Sequence, residues 1–234
     1  MESALRALRE LTSLAHRLKD NPLLGLKLKH RAYQLRESSL ATHAITYVMQ
    51  NADFVQPKKL CDHVVSKAQQ FQRLLRSAHD EAVHTASLKL HKGSTVVAHG
   101  HPLVNDFISA SKAHVHSPAH SRAKHAKIHD DYLIHHAVGK ADFVLVGADA
   151  ITPRGVVASA GAGLLLELAH AQGIPAYVAA TGLHYATNAA PTQQQELLSP
   201  ERITGIISEL GVFKHAHFVR EVGQNYPFTS SSWP

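Results

Sequence analysis

The run "DFVLVGADA", Asp142 to Ala150, constrains this chain more than any other stretch. Phe143 to Val146 are consecutive apolar residues, after which the run breaks into Gly147, Ala148 and the carboxylate Asp149. A strand that is wet on one face alternates apolar with polar residues. An unbroken apolar run belongs to a strand covered on both faces, the condition of a parallel sheet flanked by helices. The loop at the carboxyl end of such a strand is where open α/β sheets bind ligands, so the run predicts an α/β fold and puts Asp149 first among candidate site residues.

The first ninety residues have a different texture. Leu5, Leu8, Leu11, Leu14 and Leu18 recur every three or four positions, the spacing of one face of an amphipathic helix. Asn21 and Pro22 read as the cap and first turn of a second helix, "SSLATHAITYVMQ" from Ser38 to Gln50 as a third, and Pro57 as the start of a fourth running to about Leu88. From Gly93 onward strands and helices alternate. "STVVAHG" reads as a strand and Pro102 to Ala113 as a helix; "AKIHD" with "DYLIHHAVGK" repeats the unit. "DFVLVGADA" with "SAGAGLLLELAHAQG" repeats it again, and "IPAYVAA" adds a fourth strand. Alternation of this kind means a parallel sheet with right-handed crossovers. The division expected is therefore a helical domain over 1–91 and a sheet domain over 92–234.

Two stretches fit less easily. His114 to His125 is too short for a strand and a crossover helix, so an irregular segment or displaced edge is expected there. "LSPERITGIISELGVF" reads as a helix capped by Ser199, with Pro200 at its first position and Gly211 ending it, and the tail "TSSSWP" is expected to be mobile.

Composition narrows the function classes. Hydrophobic residues are 44% and charged ones 18%, a globular balance. Cys61 is the only cysteine, which excludes an intramolecular disulfide and fits a reducing compartment. The leucines of the N-terminus are interspersed with charges, unlike a signal peptide, and no segment has the roughly 18 apolar residues of a membrane span. A cytoplasmic location with no membrane partner is expected. The net charge of +6 allows phosphate-bearing partners, but the basic residues are dispersed and aromatics are 6%, which disfavours nucleic acid.

Because a parallel sheet points all its strand ends one way, the candidates gather on one edge. They are His99, Gly100 and His101 after the first strand, Asp130 and Asp131 after the middle one, Asp149, and Thr181 after "AYVAA". Asp130 and Asp131 have an alternative role as turn caps. "SAGAG", Ser159 to Gly163 and including Gly161, opens a helix with small residues, where backbone N–H groups can meet a phosphate or simply let helix and sheet approach. It is neither a GxGxxG fingerprint nor a Walker loop, so no NAD or ATP cofactor is expected. Seven histidines lie between His114 and His136, and His125 and His129 have HxxxH spacing, but the HExxH carboxylate is missing and no metal is assigned. No Gly-x-Ser-x-Gly elbow occurs and Cys61 is mid-helix, which leaves a serine or cysteine nucleophile unsupported.

"ADFVLVGADAITPRG", "GIPAYVAAT", "GSTVVAHGH", "IHDDYLIHHA" and "LSPERITGIISELGVF" together resemble one family over roughly Lys92 to Val212. That family unites regulatory subunits of translation initiation factor 2B with methylthioribose-1-phosphate isomerase and ribose-1,5-bisphosphate isomerase. The resemblance implies an N-terminal helical domain, a Rossmann-like C-terminal domain, a phosphosugar or nucleotide pocket, and a homodimer or higher oligomer built through the C-terminal domain. It puts Asp149 at the isomerases' catalytic aspartate and Gly100 where they carry a catalytic cysteine. Ala158 and Ser159 replace the family's Asn-Lys. The expectation is a divergent, non-catalytic member that binds a phosphorylated small molecule or acts as a regulatory subunit. The rival is an aldose-1-phosphate isomerase using Asp149 as general acid/base with His99 or His101 in place of the thiol; a histidine-ligated metalloenzyme comes third.

Overall fold

A computed structural model describes residues 1–91 and 93–230; residues 231–234 of the tail expected to be mobile lie outside the described residues. The chain forms two compact units, Met1–Ser77 with Tyr226–Pro234, and Ala78–Asn225. The boundary therefore falls inside the fourth helix rather than after it, and of the described residues those from 226 to 230 belong with the first unit.

In the helical unit, α1 (Glu2–Arg17) packs against α2 (Leu24–Gln34) and α3 (Ser39–Met49), and α4 (Pro57–Lys89) begins here. The buried face of α1 is Ala4, Ala7, Leu8, Leu11 and Ala15; Leu5, Leu14 and Leu18 of the leucine series are half-buried at its margin. Small residues on that face bring the helices close. Asn21 does not cap α2: its Oδ1 accepts the Leu23 N–H at 2.8 Å in a separate turn, and the helix begins at Leu24. Ser38 does cap α3, accepting the Ala41 N–H at 3.2 Å. Phe71 is fully buried, with the rings of Tyr47 and Phe228 at 5.5 and 6.1 Å.

The second unit is built on a seven-stranded sheet among the described residues. Its strands in chain order are β1 (Thr95–Ala98), β2 (His114–Pro118), β3 (Lys127–His129), β4 (Phe143–Gly147), β7 (Ala176–Ala179), β9 (Gly205–Ser208) and β10 (Gly211–Phe213). The spatial order is β10-β9-β7-β4-β1-β2-β3, all parallel except the last hairpin β9–β10. Period-two alternation sends Val96, Ala98, Phe143, Leu145, Tyr177, Ala179 and Ile207 to one face, against Ala82, Ala86 and Leu90 of α4 and α5 (Pro102–Ala110). Val97, Val144, Val146, Val178 and Ile206 are equally buried on the other, the side of α7 (Ala162–Ala171) and α8 (His215–Asn225). This double coverage is what the unbroken Phe143–Val146 run requires.

Three sequence expectations need correction. His114–His125 is irregular only in part: His114–Pro118 is the regular strand β2 paired with β1, while 119–125, the link to the edge strand β3, has no helix or strand. The segment after Ser199 is not a helix beyond the single 3-10 turn Pro200–Arg202. Ile203, Ile206 and Ile207 are β-branched and buried in extended chain, and Gly211, at φ +118°, turns β9 into β10. Third, the segment between Asp149 and α7 forms strands the apolar pattern did not announce. β5 (Ala150–Thr152) and β6 (Gly155–Ser159) make a hairpin, and β8 (Gln195–Leu198) pairs antiparallel with β6 in a separate three-stranded sheet.

Candidate functional site

The chain leaves β1 for β2 on one side and later returns to pair β4 on the other, so the sheet's switch point lies between the carboxyl ends of β1 and β4. In open α/β sheets such a point is where loops diverge and ligands bind. β1 delivers His99, Gly100 and His101; β4 delivers Asp149, whose backbone N–H is anchored on the Val157 carbonyl at 2.9 Å.

Asp149 and His101 meet, with His101 Nε2 3.7 Å from Asp149 Oδ1. The other ring nitrogen, Nδ1, accepts the Leu103 N–H at 3.3 Å and caps α5, so in the neutral ring the proton sits on Nε2, facing the acid. The ring lies over Gly147, where any side chain would collide with it. Gln195 of β8 donates from Nε2 to Asp149 Oδ2 at 2.9 Å, while its own Oε1 accepts from Thr192 N and Oγ1, both at 3.1 Å. His101, with Gln195 adding, holds the Asp149 carboxyl below the usual carboxylate range.

His99 is buried and engaged at both nitrogens. Nε2 donates to the Ala160 carbonyl at 3.2 Å, and Nδ1 accepts from Ser121 Oγ at 3.0 Å, which itself accepts the Gly100 N–H at 2.8 Å. Burial, then the neighbouring His120, pushes its pKa down and keeps the ring neutral. Gly100 is closed in: a Cβ built there would stand 2.6 Å from the Arg122 carbonyl oxygen.

Thr181 ends β7 and is tied to His184, whose Nδ1 accepts the Thr181 N–H at 3.0 Å and lies 2.9 Å from its Oγ1. Burial, followed by His101, lowers His184 to about 3. Ser159 closes β6 opposite Gln195. Gly161, at φ +92°, precedes α7 with His120 directly over it. The Gly163 N–H, one of the α7 amides expected to be open to a phosphate, is already bonded to Glu196 Oε1 at 2.8 Å.

The structure thus connects His99, Gly100, His101, Asp149, Ser159 and Gly161 through contacts at one edge of the sheet, with Thr181 tied to His184 beside them. Asp131 is joined at the edge of this group, since its Oδ1 pairs with His120 Nδ1 at 2.9 Å and the His120 ring lies tilted against that of His99, with centroids 5.4 Å apart. Asp130 is not brought in; its Oδ2 accepts from the Tyr132 hydroxyl at 3.3 Å, and neither aspartate caps the following turn with its side chain. Ser121, His120, His184, Gln195 and Glu196 contact these residues and were not among the sequence candidates. The Thr-x-x-His spacing of Thr181 and His184 was a readable sign; Gln195 and Glu196 had none, because only the pairing of β8 with β6 carries them there. Among the described residues, no three His, Cys, Asp or Glu side chains gather into a metal-holding group, and no helix is long and apolar enough to cross a membrane.

Residues 123–198 match the Initiation factor 2 subunit family. No curated protein is a significant match. Among solved structures, translation initiation factor eIF-2B of Pyrococcus horikoshii OT3 superposes with a TM-score of 0.75 at 21% identity, over 94% of this chain and 92% of that one. The tetrameric eIF2B-beta2-delta2 complex of C. thermophilum gives 0.74 at 12% identity over 95% and 88%. The 5-methylthioribose 1-phosphate isomerase of P. horikoshii OT3 gives 0.70 at 14% over 95% and 83%. The fold is shared with all three.

Proposed function

On the premise that residues 123–198 belong to the initiation factor 2 subunit family, we propose a non-catalytic, initiation-factor-2B-like protein. Its strand-end crevice binds a phosphorylated sugar or nucleotide, and it works as a subunit of a homodimer or higher oligomer built through the sheet unit. The observation that carries the reading is the closure of Gly100. Moving a carbonyl between C1 and C2 of an aldose phosphate needs an acid/base pair poised on the reacting carbons. The resemblance puts the isomerases' thiol at Gly100, and 2.6 Å from a Cβ to the Arg122 carbonyl leaves no room for one. His99 is no substitute, since both its nitrogens are engaged internally. Of the two histidines that follow β1, His101 is the one that faces Asp149, through Nε2. The rival isomerase would have to run on that pair alone.

Thermal unfolding with ribose 1,5-bisphosphate, methylthioribose 1-phosphate and AMP tests the reading, since a ligand specific for the folded state stabilises it by about 2.7 kcal/mol at a hundredfold excess over Kd. The expected result is a rise of a few degrees with at least one of them, reduced in Asp149→Asn, and no ketose product. Ketose formation that disappears in Asp149→Asn would replace this reading with the isomerase.

A further inference from the structure

Charge is divided unevenly between the two units. Residues 1–77 and 226–234 carry 13 Lys and Arg against 6 Asp and Glu, whereas residues 78–225 carry 11 against 12. The whole positive excess of the chain therefore belongs to the helical unit, and a field of one sign is a physical bias toward partners of the other.

That unit also has a concavity. A groove of about 350 Å³ runs between α1 and α4, lined by Arg9, Thr12, Ser13 and His16 on one side and by Val65, Ala68, Gln69 and Gln72 on the other. Arg73 and Arg76 stand four residues beyond Gln69 and Gln72 and extend the same face of α4. Arg9, Arg73 and Arg76 are exposed, and none makes an ion pair among the described residues. Glu10, the acid beside Arg9 on α1, is taken by Arg6 and Arg31, and Asp62 is the one acid that α4 contributes to this unit. Val65 and Ala68 are small and apolar. A floor of that kind with guanidinium rims is the complement of a helix with small apolar residues on one face and carboxylates on its flanks. His16 is the one ring that lines the groove and no Phe, Tyr or Trp does, so the row of stacking platforms that holds a nucleic-acid single strand is missing.

We propose that the α1/α4 groove docks an acidic amphipathic helix of a partner protein. This surface is separate from the strand-end crevice and stands without the reading of that crevice.

The test is fluorescence anisotropy of the full chain with a fluorescein-labelled four-turn peptide carrying leucine and alanine on one face and glutamates on the others. Binding is expected to weaken severalfold as salt rises from about 50 to 300 mM. In the triple variant Arg9→Glu, Arg73→Glu, Arg76→Glu, checked for unchanged helicity, it is expected to weaken by about tenfold or more. The sheet-unit control Lys112→Glu, Lys124→Glu, Lys140→Glu is expected to bind like the parent. Equal losses in both triples would reduce the effect to general charge attraction and overturn the proposal, as would no measurable binding of the peptide. Tighter binding of a charge-matched single-stranded oligonucleotide, lost in the arginine triple, would assign the groove to nucleic acid instead.

Discussion

At the scale of single residues, two glycines show how a missing side chain decides the site. Gly147 lets the His101 ring lie over the β4 backbone, which aims Nε2 at Asp149; Gly100 lets the Ser121–Ala123 backbone close over the end of β1. Neither role depends on glycine's freedom at positive φ. The prediction is that Gly100→Ala costs about 1–3 kcal/mol, because the clashing partner is a carbonyl rather than a flexible side chain. Gly223 in α8 has nothing within 4 Å of a built Cβ, and Gly223→Ala is expected to stabilise by about 0.4–1 kcal/mol. Urea unfolding of the two variants checks both signs in one experiment. The candidates His99, Gly100, His101 and Asp149 were legible from sequence because each follows an apolar strand. Ser121 and His120 were not, because their places depend on a loop that returns to the β1 end.

At the scale of elements, strands with continuous apolar runs were legible, and so was β3 within "AKIHD", whereas β2 as a regular strand and the hairpin strands β5, β6 and β8 were not. β2 and β3 contain His114, His116, Lys127 and His129, and no apolar periodicity marks them as paired. What joins them beyond the ladder is His116 Nδ1 to His129 Nε2 at 2.7 Å, a bond that needs one ring neutral as acceptor. Burial, then His129 and Lys127, lowers the His116 pKa. A lowered histidine pKa means the unfolded chain binds a proton more readily than the folded one below pH of about 6.5. Stability from this pair is therefore present at neutral pH and is lost as pH falls through that value. Amide exchange at Ile128 is expected to accelerate between pH 7 and pH 5, beyond the intrinsic pH dependence, and the acceleration should vanish in His116→Gln. An unchanged protection factor at Ile128 across that range would rule the pair out as a support of the edge.

At the scale of the whole molecule, the division into two units, each with its own core, makes stability a regional property. Phe71 lies in the helical core and Phe107 in the sheet core, both fully buried. Phe71→Ala and Phe107→Ala are each expected to cost about 3–5 kcal/mol within their own unit. Hydrogen exchange should show α1 and α3 losing protection in the first variant and β1 and β4 in the second. Loss of protection spread evenly over both units in either variant would mean a single cooperative body.

The sequence by itself determined the helical first part, the parallel sheet after Gly93, and the edge on which His99, His101 and Asp149 stand. Those follow from local periodicity and from the common direction of parallel strands. Only the tertiary structure decided that the stretch after Ser199 is extended, that β5, β6 and β8 form a second sheet, and that Gln195 and Glu196 reach Asp149 and the start of α7. The reason is physical: periodicity reports which face of a segment is buried, whereas antiparallel pairing between distant short strands depends on register and on the covering layers, which no local pattern encodes.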